Sequence, residues 1–441
     1  MTTTRTIAPL DPGFAPAVLA WRAYRAAAGR GGQPLVIALE REGGLVSRYE
    51  TLINPAAPDT ARVINRLVKF LLWAYGGWRL YLDGPVVPPV TVPEFDRGMM
   101  ERIYERRWEI VRGAAPPARA AAWKLGGFRD GCRLGFDLGA SDFKVAAVRD
   151  GEAVFSAEFP WQPVTQADPE YHYRLLNDGL RKAAAHLPRV DAIGGSTAGV
   201  VVDNQLMVAS LFRSVPAADF PRAQTMFLRL GREWGVPVAV ANDGDVAALA
   251  GALSLGVTGV LGIAMGSSQA AGFVDRRGTM TGWLNELAFV PVDENPAAAV
   301  DEWSGDRGVG AQYFSQQAVN KLLPAARIDV PAAMPLPERL VTVQALMAQD
   351  DWRARKIYET LGVYLGYTVP LYAEFYDFAH LLVLGRVTTG EGGNIMVAQA
   401  RKVLAAEFPE LAERIALHLP DEKSKRVGQA VAAASLPVIS K

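Results

Sequence analysis

Three stretches of the sequence predict an α/β protein with a ligand cleft at its strand ends. One is a short apolar run at residues 236–240, which is followed by Asn242, Asp243 and a helix-favouring run. The other two are loops of small and hydroxyl residues at 139–141 and 266–268, each flanked by apolar runs. Short apolar runs bounded by turn residues are typical of buried strands. Ligands of α/β folds collect at the carboxyl ends of such strands.

Length and composition narrow the class of protein. The chain has 441 residues, half of them hydrophobic, with a formal net charge of zero. This is long enough for two or three domains, and the neutral charge argues against a general nucleic-acid-binding surface. The single cysteine, Cys132, excludes an internal disulfide and a cysteine-rich metal cluster. Residues 1–12 lack a signal-peptide pattern, and the apolar run at 68–73 is too short to span a bilayer, so we expect a cytoplasmic protein.

Residues 1–126 look like a separate N-terminal α/β extension of unknown role. Their sequence shows no catalytic pattern and no helix-turn-helix motif. Apolar runs alternate with turn residues here, which predicts strands and helices of ordinary length. The predicted elements are a hairpin around 41–44, a strand at 78–82, and helices at about 59–75 and 93–111, the last with Met99, Ile103 and Trp108 on its apolar side.

Asp243 has two interpretations at the end of the apolar run at 236–240. Asn and Asp at the start of a helix accept hydrogen bonds from its first N–H groups, so Asn242 and Asp243 fit a helix cap. A carboxylate at a strand end is also placed to act as a general base at the mouth of a cleft. The two glycine-and-hydroxyl loops elsewhere in the chain favour the second interpretation.

The first loop follows the apolar strand that carries Asp137. Its residues Gly139, Ala140 and Ser141 are small enough for backbone amides to approach a phosphate, and the serine adds a hydroxyl donor. Asp137 can orient a hydrated magnesium ion, which prefers oxygen ligands. Lys144 is a further candidate for phosphate contact, although an ion pair or a solvated position is the more ordinary explanation. Ordinary hairpins also contain Gly and Ser, so the loop by itself allows both explanations.

The second loop and a third glycine-rich element complete the candidate nucleotide site. Gly266, Ser267 and Ser268 follow an apolar strand and are the expected phosphate contacts, with an ordinary hairpin as the alternative. The strand at 380–384 ends at Gly385, and a turn through Gly390 precedes a helix. A glycine-rich turn has no Cβ atoms to hold a flat adenosine away. A plain helix start would produce the same pattern.

In this order, these elements resemble the actin, hexokinase and heat-shock-chaperone ATPase superfamily, and within it the ROK family of repressors and sugar kinases. The resemblance covers about residues 134–435, and its specificity lies in five short motifs occurring in the family's order. The matching segments are Asp137 to Lys144 with the family's DLGGTKI, 193–199 with GISTPG, Asn242-Asp243 with the ND of ENDANAAA, Met265 to Phe273 with LGTGIGGGI, and 285–289 with GEIGH.

The resemblance implies a two-lobed actin-like ATPase fold of the ribonuclease H-like type, with the extra N-terminal α/β region attached. Each lobe would be a mixed sheet with helices, and the lobes would close over ATP. The implied domains are the extension at 1–126, a first ATPase lobe at 127–250 with phosphate loop 1 and the catalytic Asp, a second ATPase lobe at 251–410 with phosphate loop 2 and the adenosine motif, and a C-terminal helix within 411–441, from about Ser424 to Ala434, that packs back on the first lobe.

The resemblance also implies an ATP-dependent kinase that phosphorylates a hydroxyl of a sugar or sugar-like molecule. Asp243 would be the general base, Asn242 and Glu286 would bind the substrate, and ATP with Mg²⁺ would be the cofactors. Asp245, at a helix-turn position, is predicted to be solvated or capping. We expect a small-molecule substrate and a homodimer, with no nucleic-acid or membrane partner.

The sequence departs from the family pattern at two sets of positions. The family's zinc motif, H…CxCGxxGC, has no soft or imidazole ligand here, so we expect no structural zinc. A sugar-binding Glu of the family aligns with Ala311, which removes a hydroxyl partner and weakens the case for glucose. The residues at the four zinc-ligand positions are Phe289, Glu302, Ser304 and Val309.

Two other functions stay open at this point. The family includes repressors, so a ligand-binding regulator is possible, although the usual N-terminal helix-turn-helix is not recognisable. A catalytically weakened ATP-binding protein with a scaffold role is the other alternative. The presence of Asp243 argues against that role.

Overall fold

The computed structural model describes residues 6–120, 126–420 and 428–439. Its N-terminal region forms one four-stranded sheet with helices packed on it. The elements are α1 (Ala17–Ala28), β1 (Gln33–Glu40), β2 (Val46–Ile53), α2 (Thr60–Tyr75), β3 (Arg79–Asp83), α3 (Glu94–Tyr104) and β4 (Glu109–Arg112). The strand order is β2-β1-β3-β4, and the hairpin predicted around 41–44 joins β1 to β2.

The first lobe is a five-stranded sheet in the order β11-β8-β5-β6-β7. Antiparallel β5, β6 and β7 follow one another, and β8 and β11 continue the sheet in parallel on the other side of β5. The elements are β5 (Cys132–Leu138), β6 (Asp142–Arg149), β7 (Glu152–Pro160), α4 (Pro169–Ala184), β8 (Ala192–Thr197), β9 (Val200–Val202), β10 (Gln205–Val208), α5 (Phe220–Gln224), α6 (Met226–Trp234), β11 (Val238–Asn242) and α7 (Asp243–Leu255). Helices cover both faces, so all residues of β8 are buried.

The second lobe is a four-stranded sheet in the order β13-β12-β14-β15, and a last helix follows it. The elements are β12 (Val260–Met265), β13 (Gln269–Val274), α8 (Gln316–Ala326), α9 (Leu336–Met347), α10 (Trp352–Tyr372), β14 (His380–Leu384), α11 (Glu391–Glu407), α12 (Pro409–Ala412), β15 (Ala416–His418) and α13 (Gly428–Ala434). The predicted start of the last helix, at 424–427, lies outside the described residues. Within the described ranges, no helix is both long and apolar enough to cross a membrane.

Glycines bring two helices unusually close to the sheets. A Cβ atom on Gly135 of β5 would lie 1.8 Å from the Ala430 carbonyl oxygen, and one on Gly194 of β8 would lie 1.7 Å from that of Ala433. Helix α13 therefore rests directly on the backbone of the first lobe. At the start of α7, a Cβ on Gly272 of β13 would lie 2.2 Å from the Gly244 carbonyl oxygen. The first turn of α7 is therefore pressed against the second lobe.

The N-terminal region is not a separate unit, because it shares one hydrophobic core with the second lobe. Buried side chains of α1, α2 and β1 belong to the same cluster as those of β12, α8 and α10. For example, the rings of Phe70 and Phe375 stack with centroids 4.0 Å apart. We expected an independent unit because residues 1–126 precede the recognisable motifs. Position along the chain does not indicate how a segment packs.

The helix predicted at about 93–111 is also shorter than expected. Helix α3 ends at Tyr104, because Glu105 adopts a left-handed conformation with φ 50°. Trp108 lies beyond the helix, and the residues after it form β4, which pairs in parallel with β3. Met99 and Ile103 keep their predicted place on the helix, and Ile103 is fully buried.

Candidate active site

The junction of β11 and α7 gives Asn242 and Asp243 different local roles. Asn242 Oδ1 accepts a hydrogen bond from the Gly244 N–H at 2.7 Å, and its Nδ2 donates to the Gly199 carbonyl at 2.8 Å. Asp243 Oδ1 also accepts from the Gly244 N–H, at 2.9 Å. In the described part of the chain, no other residue's side chain donates a hydrogen bond to the Asp243 carboxylate. The helix therefore has a cap in Asn242 that does not depend on Asp243.

Three carboxylates influence one another at this junction. Burial raises the pKa of Asp243, and it raises that of Asp245 to about 7. Burial, with the charges of Asp243 and Asp245, raises the pKa of Glu286 to about 8. No arginine, lysine or histidine of the described ranges forms an ion pair with these three groups. Removal from water without a compensating cation favours their protonated forms.

The prediction that Asp245 is solvated or capping is wrong. Its Oδ1 accepts hydrogen bonds from Asn285 Nδ2 at 2.8 Å and from the Phe273 N–H at 3.2 Å. Both donors belong to the second lobe, against which Gly272 allows the first turn of α7 to pack. Asp245 is thus a half-buried link between the lobes.

The loop that carries Asn285 and Glu286 is held by the N-terminal region. Three successive backbone carbonyls at the end of α2 accept hydrogen bonds from this loop. The Leu284 N–H donates to the Tyr75 carbonyl at 3.3 Å, the Asn285 N–H to that of Ala74 at 2.9 Å, and the Glu286 N–H to that of Trp73 at 3.0 Å. Tyr376 also donates its hydroxyl to Asn285 Oδ1 at 3.1 Å. The position of Glu286 therefore depends on a helix about 210 residues earlier in the chain.

Asp137 lies at the carboxyl end of β5, directly beside Ser196 of the parallel strand β8. The Ser196 hydroxyl donates to Asp137 Oδ1 at 2.8 Å. Burial raises the pKa of Asp137 to about 6, the Ser196 hydrogen bond opposes this rise, and the nearby charge of Asp243 adds to it. The structure thus brings Asp137 and Asp243, which are far apart in the sequence, to the same edge of the first-lobe sheet.

The first phosphate loop contains a carboxylate that the sequence interpretation did not consider. The Ser141 hydroxyl donates to Asp142 Oδ2 at 2.8 Å, and Lys144 Nζ lies 3.2 Å from Asp142 Oδ1. Both predicted phosphate-binding side chains of this loop are therefore engaged by Asp142. The positive charge of Arg386, from the glycine-rich turn of the second lobe, also contributes to lowering the pKa of Asp142. The loop is therefore close enough to that turn for the charge of Arg386 to act on Asp142.

The second phosphate loop is open. Ser267 and Ser268 are exposed, and a Cβ on Gly266 would meet only the Ser268 carbonyl oxygen, at 3.6 Å. Gly385 has φ 100° and lies against the backbone of Met265, so the glycine-rich turn adjoins this loop. Gly390 has φ 75°, and no atom lies within 4 Å of the place where its Cβ would be. These positions form a backbone surface that a ligand can approach closely.

These residues fit a nucleotide phosphate at the second loop, where free hydroxyls and open backbone meet. At the first loop they fit a phosphate that arrives with a cation, because Asp137 and Asp142 would repel a bare triphosphate. Asp137 is the predicted magnesium-orienting group, and its carboxylate oxygens suit that hard cation. No cluster of three or more His, Cys, Asp or Glu side chains in the described ranges is arranged to hold a metal ion.

Three of the four positions that correspond to zinc ligands are used for packing or hydrogen bonding, and the fourth, Glu302, is exposed. The Phe289 ring lies 4.3 Å from that of Trp73 and 5.5 Å from that of Phe95, and Val309 is fully buried. Ser304 hydrogen-bonds Asp301, and Lys69 of α2 forms an ion pair with Asp306. The N-terminal region therefore stabilises the segment at 286–309. The expectation of a zinc-free protein stays a prediction.

Sequence inspection missed several residues of the site. Asn285 was noted only as part of a motif, and Ser196 only as part of a strand. The position of Ser196 beside Asp137 was accessible in principle, because both end parallel strands of the expected lobe. The amide nitrogen Nε2 of Gln429 donates hydrogen bonds to both the Ser196 hydroxyl and the Asp243 carbonyl. No local sequence pattern predicts these contacts, because Gln429 lies 186 residues from Asp243.

Comparisons with known proteins identify the fold. No family model matches the sequence, and no curated protein matches it either. Among solved structures, a ROK hexokinase from Thermus thermophilus is similar with a TM-score of 0.54 and 18% identity, over 69% of this chain and 96% of that one. A ROK family transcriptional regulator, described as a homolog of the E. coli MLC protein, has a TM-score of 0.56 and 19% identity, over 69% and 77% of the two chains.

A ROK family glucokinase from Streptomyces griseus, solved with glucose and AMPPNP, has a TM-score of 0.50 and 18% identity, over 69% of this chain and 98% of that one. Kinases and a regulator thus share the arrangement of two lobes seen here. The chain therefore has the actin-like ATPase fold in the form that ROK-family kinases and regulators share.

Proposed function

We propose that the protein is an ATP-dependent kinase that phosphorylates a hydroxyl group of a sugar or sugar-like small molecule, with Asp243 as the general base. The observation that carries this proposal is the division of roles at the β11–α7 junction. Asn242 already caps α7, and no side chain of the described residues hydrogen-bonds the Asp243 carboxylate. A helix cap therefore does not explain why a carboxylate follows Asn242 at this strand end.

Asp243 would take the proton of the acceptor hydroxyl as that oxygen attacks phosphorus. Its raised pKa makes it a stronger proton acceptor than an ordinary aspartate, provided that it is ionised. Bound ATP with Mg²⁺ would supply the transferable phosphoryl group and part of the charge stabilisation. The acceptor hydroxyl and the Asp243 carboxylate would have to be held within hydrogen-bonding distance, which is mainly a matter of positioning.

The remaining predicted residues would bind and orient the two substrates. Backbone amides and hydroxyls at Gly266, Ser267 and Ser268 suit the phosphates, and Asp137 would orient the magnesium ion. Glu286, whose raised pKa favours its protonated form at neutral pH, can donate a hydrogen bond to a hydroxyl of the acceptor. Closure of the lobes would exclude water and limit ATP hydrolysis.

A non-catalytic ATP- or sugar-binding regulator is the second candidate, and Asp142 is the observation that favours it. A carboxylate that occupies both Ser141 and Lys144 weakens the first loop as a phosphate site. One of the similar structures is a transcriptional regulator, which is consistent with such a role for this fold. The two candidates differ in turnover and not in ligand binding.

The test is an ATP-consumption assay on a panel of sugars, polyols and amino sugars. We expect at least one acceptor to give turnover, and Asp243→Asn to lower the rate by about 10²–10⁴-fold, because Asn cannot accept the proton. Asp178→Asn, at an exposed position of α4, is the matched control and should keep full activity. Acceptor binding without turnover in the wild type would favour the regulator.

A further inference from the structure

We infer that Gln429, from the C-terminal helix α13, is a positioning residue that aligns the magnesium-orienting carboxylate with the proposed base. Gln429 Nε2 donates to the Ser196 hydroxyl oxygen at 3.0 Å and to the Asp243 backbone carbonyl at 2.9 Å. Ser196 in turn donates to Asp137 Oδ1 at 2.8 Å. A single amide thus connects the two strand ends that carry Asp137 and Asp243. This inference rests on the proposed function of those carboxylates.

The donor pattern determines which way the Ser196 hydroxyl points. A hydroxyl has one proton and can accept at its lone pairs. Because Gln429 Nε2 has only protons to offer, Ser196 must accept from it and is left to donate its own proton to Asp137. Gln429 therefore holds the Ser196 hydroxyl in the orientation that keeps the Asp137 carboxylate in place. Without that amide, the hydroxyl would be free to rotate away.

The other contact of Gln429 fixes the start of α7. The Asp243 carbonyl belongs to the first turn of α7, while Ser196 is the last but one residue of β8. An amide nitrogen that bonds both holds β8 and α7 at a set separation. Because Asp137 accepts a hydrogen bond from Ser196, helix α13 also limits the distance between the Asp137 and Asp243 side chains through Gln429.

Helix α13 is placed rigidly enough for this role. Gly135 and Gly194 let its backbone rest on β5 and β8, and any side chain there would push the helix away. Ala430, Ala433 and Ala434 are fully buried against the sheet. Gln429 directly precedes these contacts and is itself only half-buried, so its side chain extends from the packed helix to the edge of the sheet.

Groups that orient a metal-binding residue typically affect metal affinity by about 10–100-fold when they are removed. Gln429→Met keeps the length of the side chain and removes both donors. We expect it to weaken Mg²⁺-dependent binding of a non-hydrolysable ATP analogue by about 10-fold, while binding of the analogue without Mg²⁺ changes less than about twofold. Ser196→Ala should have the same effect, and the double variant should be no weaker than either single one, because both residues act through Asp137.

The experiment is isothermal titration of full-length protein with the analogue, with Mg²⁺ and with EDTA. Ser435→Ala is the matched control. It removes hydrogen bonds with the Ala432 carbonyl and the Gly127 N–H at the end of α13, away from Asp137, and it should leave the Mg²⁺ dependence unchanged. Thermal unfolding of each variant separates loss of the helix from loss of the amide.

Equal Mg²⁺ dependence in wild type and Gln429→Met would overturn the inference and leave the proposed function intact. So would a Ser435→Ala variant that loses Mg²⁺ dependence to the same degree, because that would indicate general support by α13. A wild type with no Mg²⁺-dependent binding would instead overturn the proposed function, and the inference with it.

Discussion

Replacing Glu286 by glutamine should make the protein more stable at high pH and leave it almost unchanged at low pH. The backbone N–H of Glu286 is held by the Trp73 carbonyl, and no hydrogen bond to its carboxylate occurs in the described part of the chain. Burial and the charges of Asp243 and Asp245 disfavour its ionised form. Gln is similar in size and uncharged at every pH, so the variant lacks this electrostatic penalty.

The size of the effect follows from the displaced pKa. In the folded protein the pKa of Glu286 is raised from 4.5 to about 8. Since one pKa unit corresponds to about 1.4 kcal/mol, ionising Glu286 costs the folded state at most about 5 kcal/mol. The side chain is partly exposed to water and shares its repulsion with two aspartates, so we expect about 2 kcal/mol.

The pH determines how much more stable Glu286→Gln is than the wild type. A carboxyl group with a raised pKa in the folded state contributes fully to stability below its unfolded pKa, near 4.5. That contribution is lost as the pH rises through the folded value, about 8. The advantage of Glu286→Gln over wild type should therefore be near zero at about pH 4 and complete at about pH 9.

Urea unfolding of wild type and Glu286→Gln across this pH range measures the difference directly. Glu413→Gln is a matched control, because Glu413 is exposed and forms no ion pair within the described residues. It should show no pH-dependent gain. An advantage of Glu286→Gln that is the same at both ends of the range, or a loss of stability at pH 9, would refute the argument.

Four further predictions concern the same cleft. Asp243→Asn should change the free energy of unfolding by less than about 1 kcal/mol, because Asn242 caps the helix; a larger loss in urea melts would point to a structural role. The pH profile of kcat/KM should fall on its acidic side with an apparent pKa above 3.8, the ordinary aspartate value, because burial raises the pKa of Asp243 and a base must be ionised. An apparent pKa near 3.8 would exclude Asp243 as the base. Gly266→Val should weaken Mg²⁺-dependent ATP binding in calorimetry, since a branched side chain occupies the open phosphate loop; equal affinity would remove this loop from the site. Elemental analysis should find no bound zinc, and one equivalent that survives chelation would contradict this expectation.

The sequence by itself was sufficient to predict the α/β fold and the main strand ends of the site. The β5–β6 hairpin around Gly139, the β12–β13 hairpin around Gly266 and the β11–α7 junction at Asn242 all occur where they were predicted. These are local features: a buried strand, a turn of small residues and a helix start each leave a pattern within about ten residues. Their order along the chain supported the family resemblance, and that resemblance implied the two-lobed arrangement.

The assignments that failed or were missed depend on contacts between distant residues. Asp245 was expected to be solvated or capping because of its helix-turn position, yet Gly272 lets that turn pack against β13, and Asn285 donates a hydrogen bond to the Asp245 carboxylate. The ends of helices are just as context-dependent, since α3 ends where Glu105 turns to the left-handed conformation and β4 joins the sheet.

Only the tertiary structure decided how the N-terminal region and the C-terminal helix take part in the site. The carbonyl of Trp73 holds Glu286 from 213 residues away, and Gln429 reaches Ser196 across 233 residues. Backbone carbonyls carry no sequence information, and a single glutamine has no periodic pattern. Such contacts form because burying apolar surface brings these elements together, and the polar groups then pair where water has been excluded.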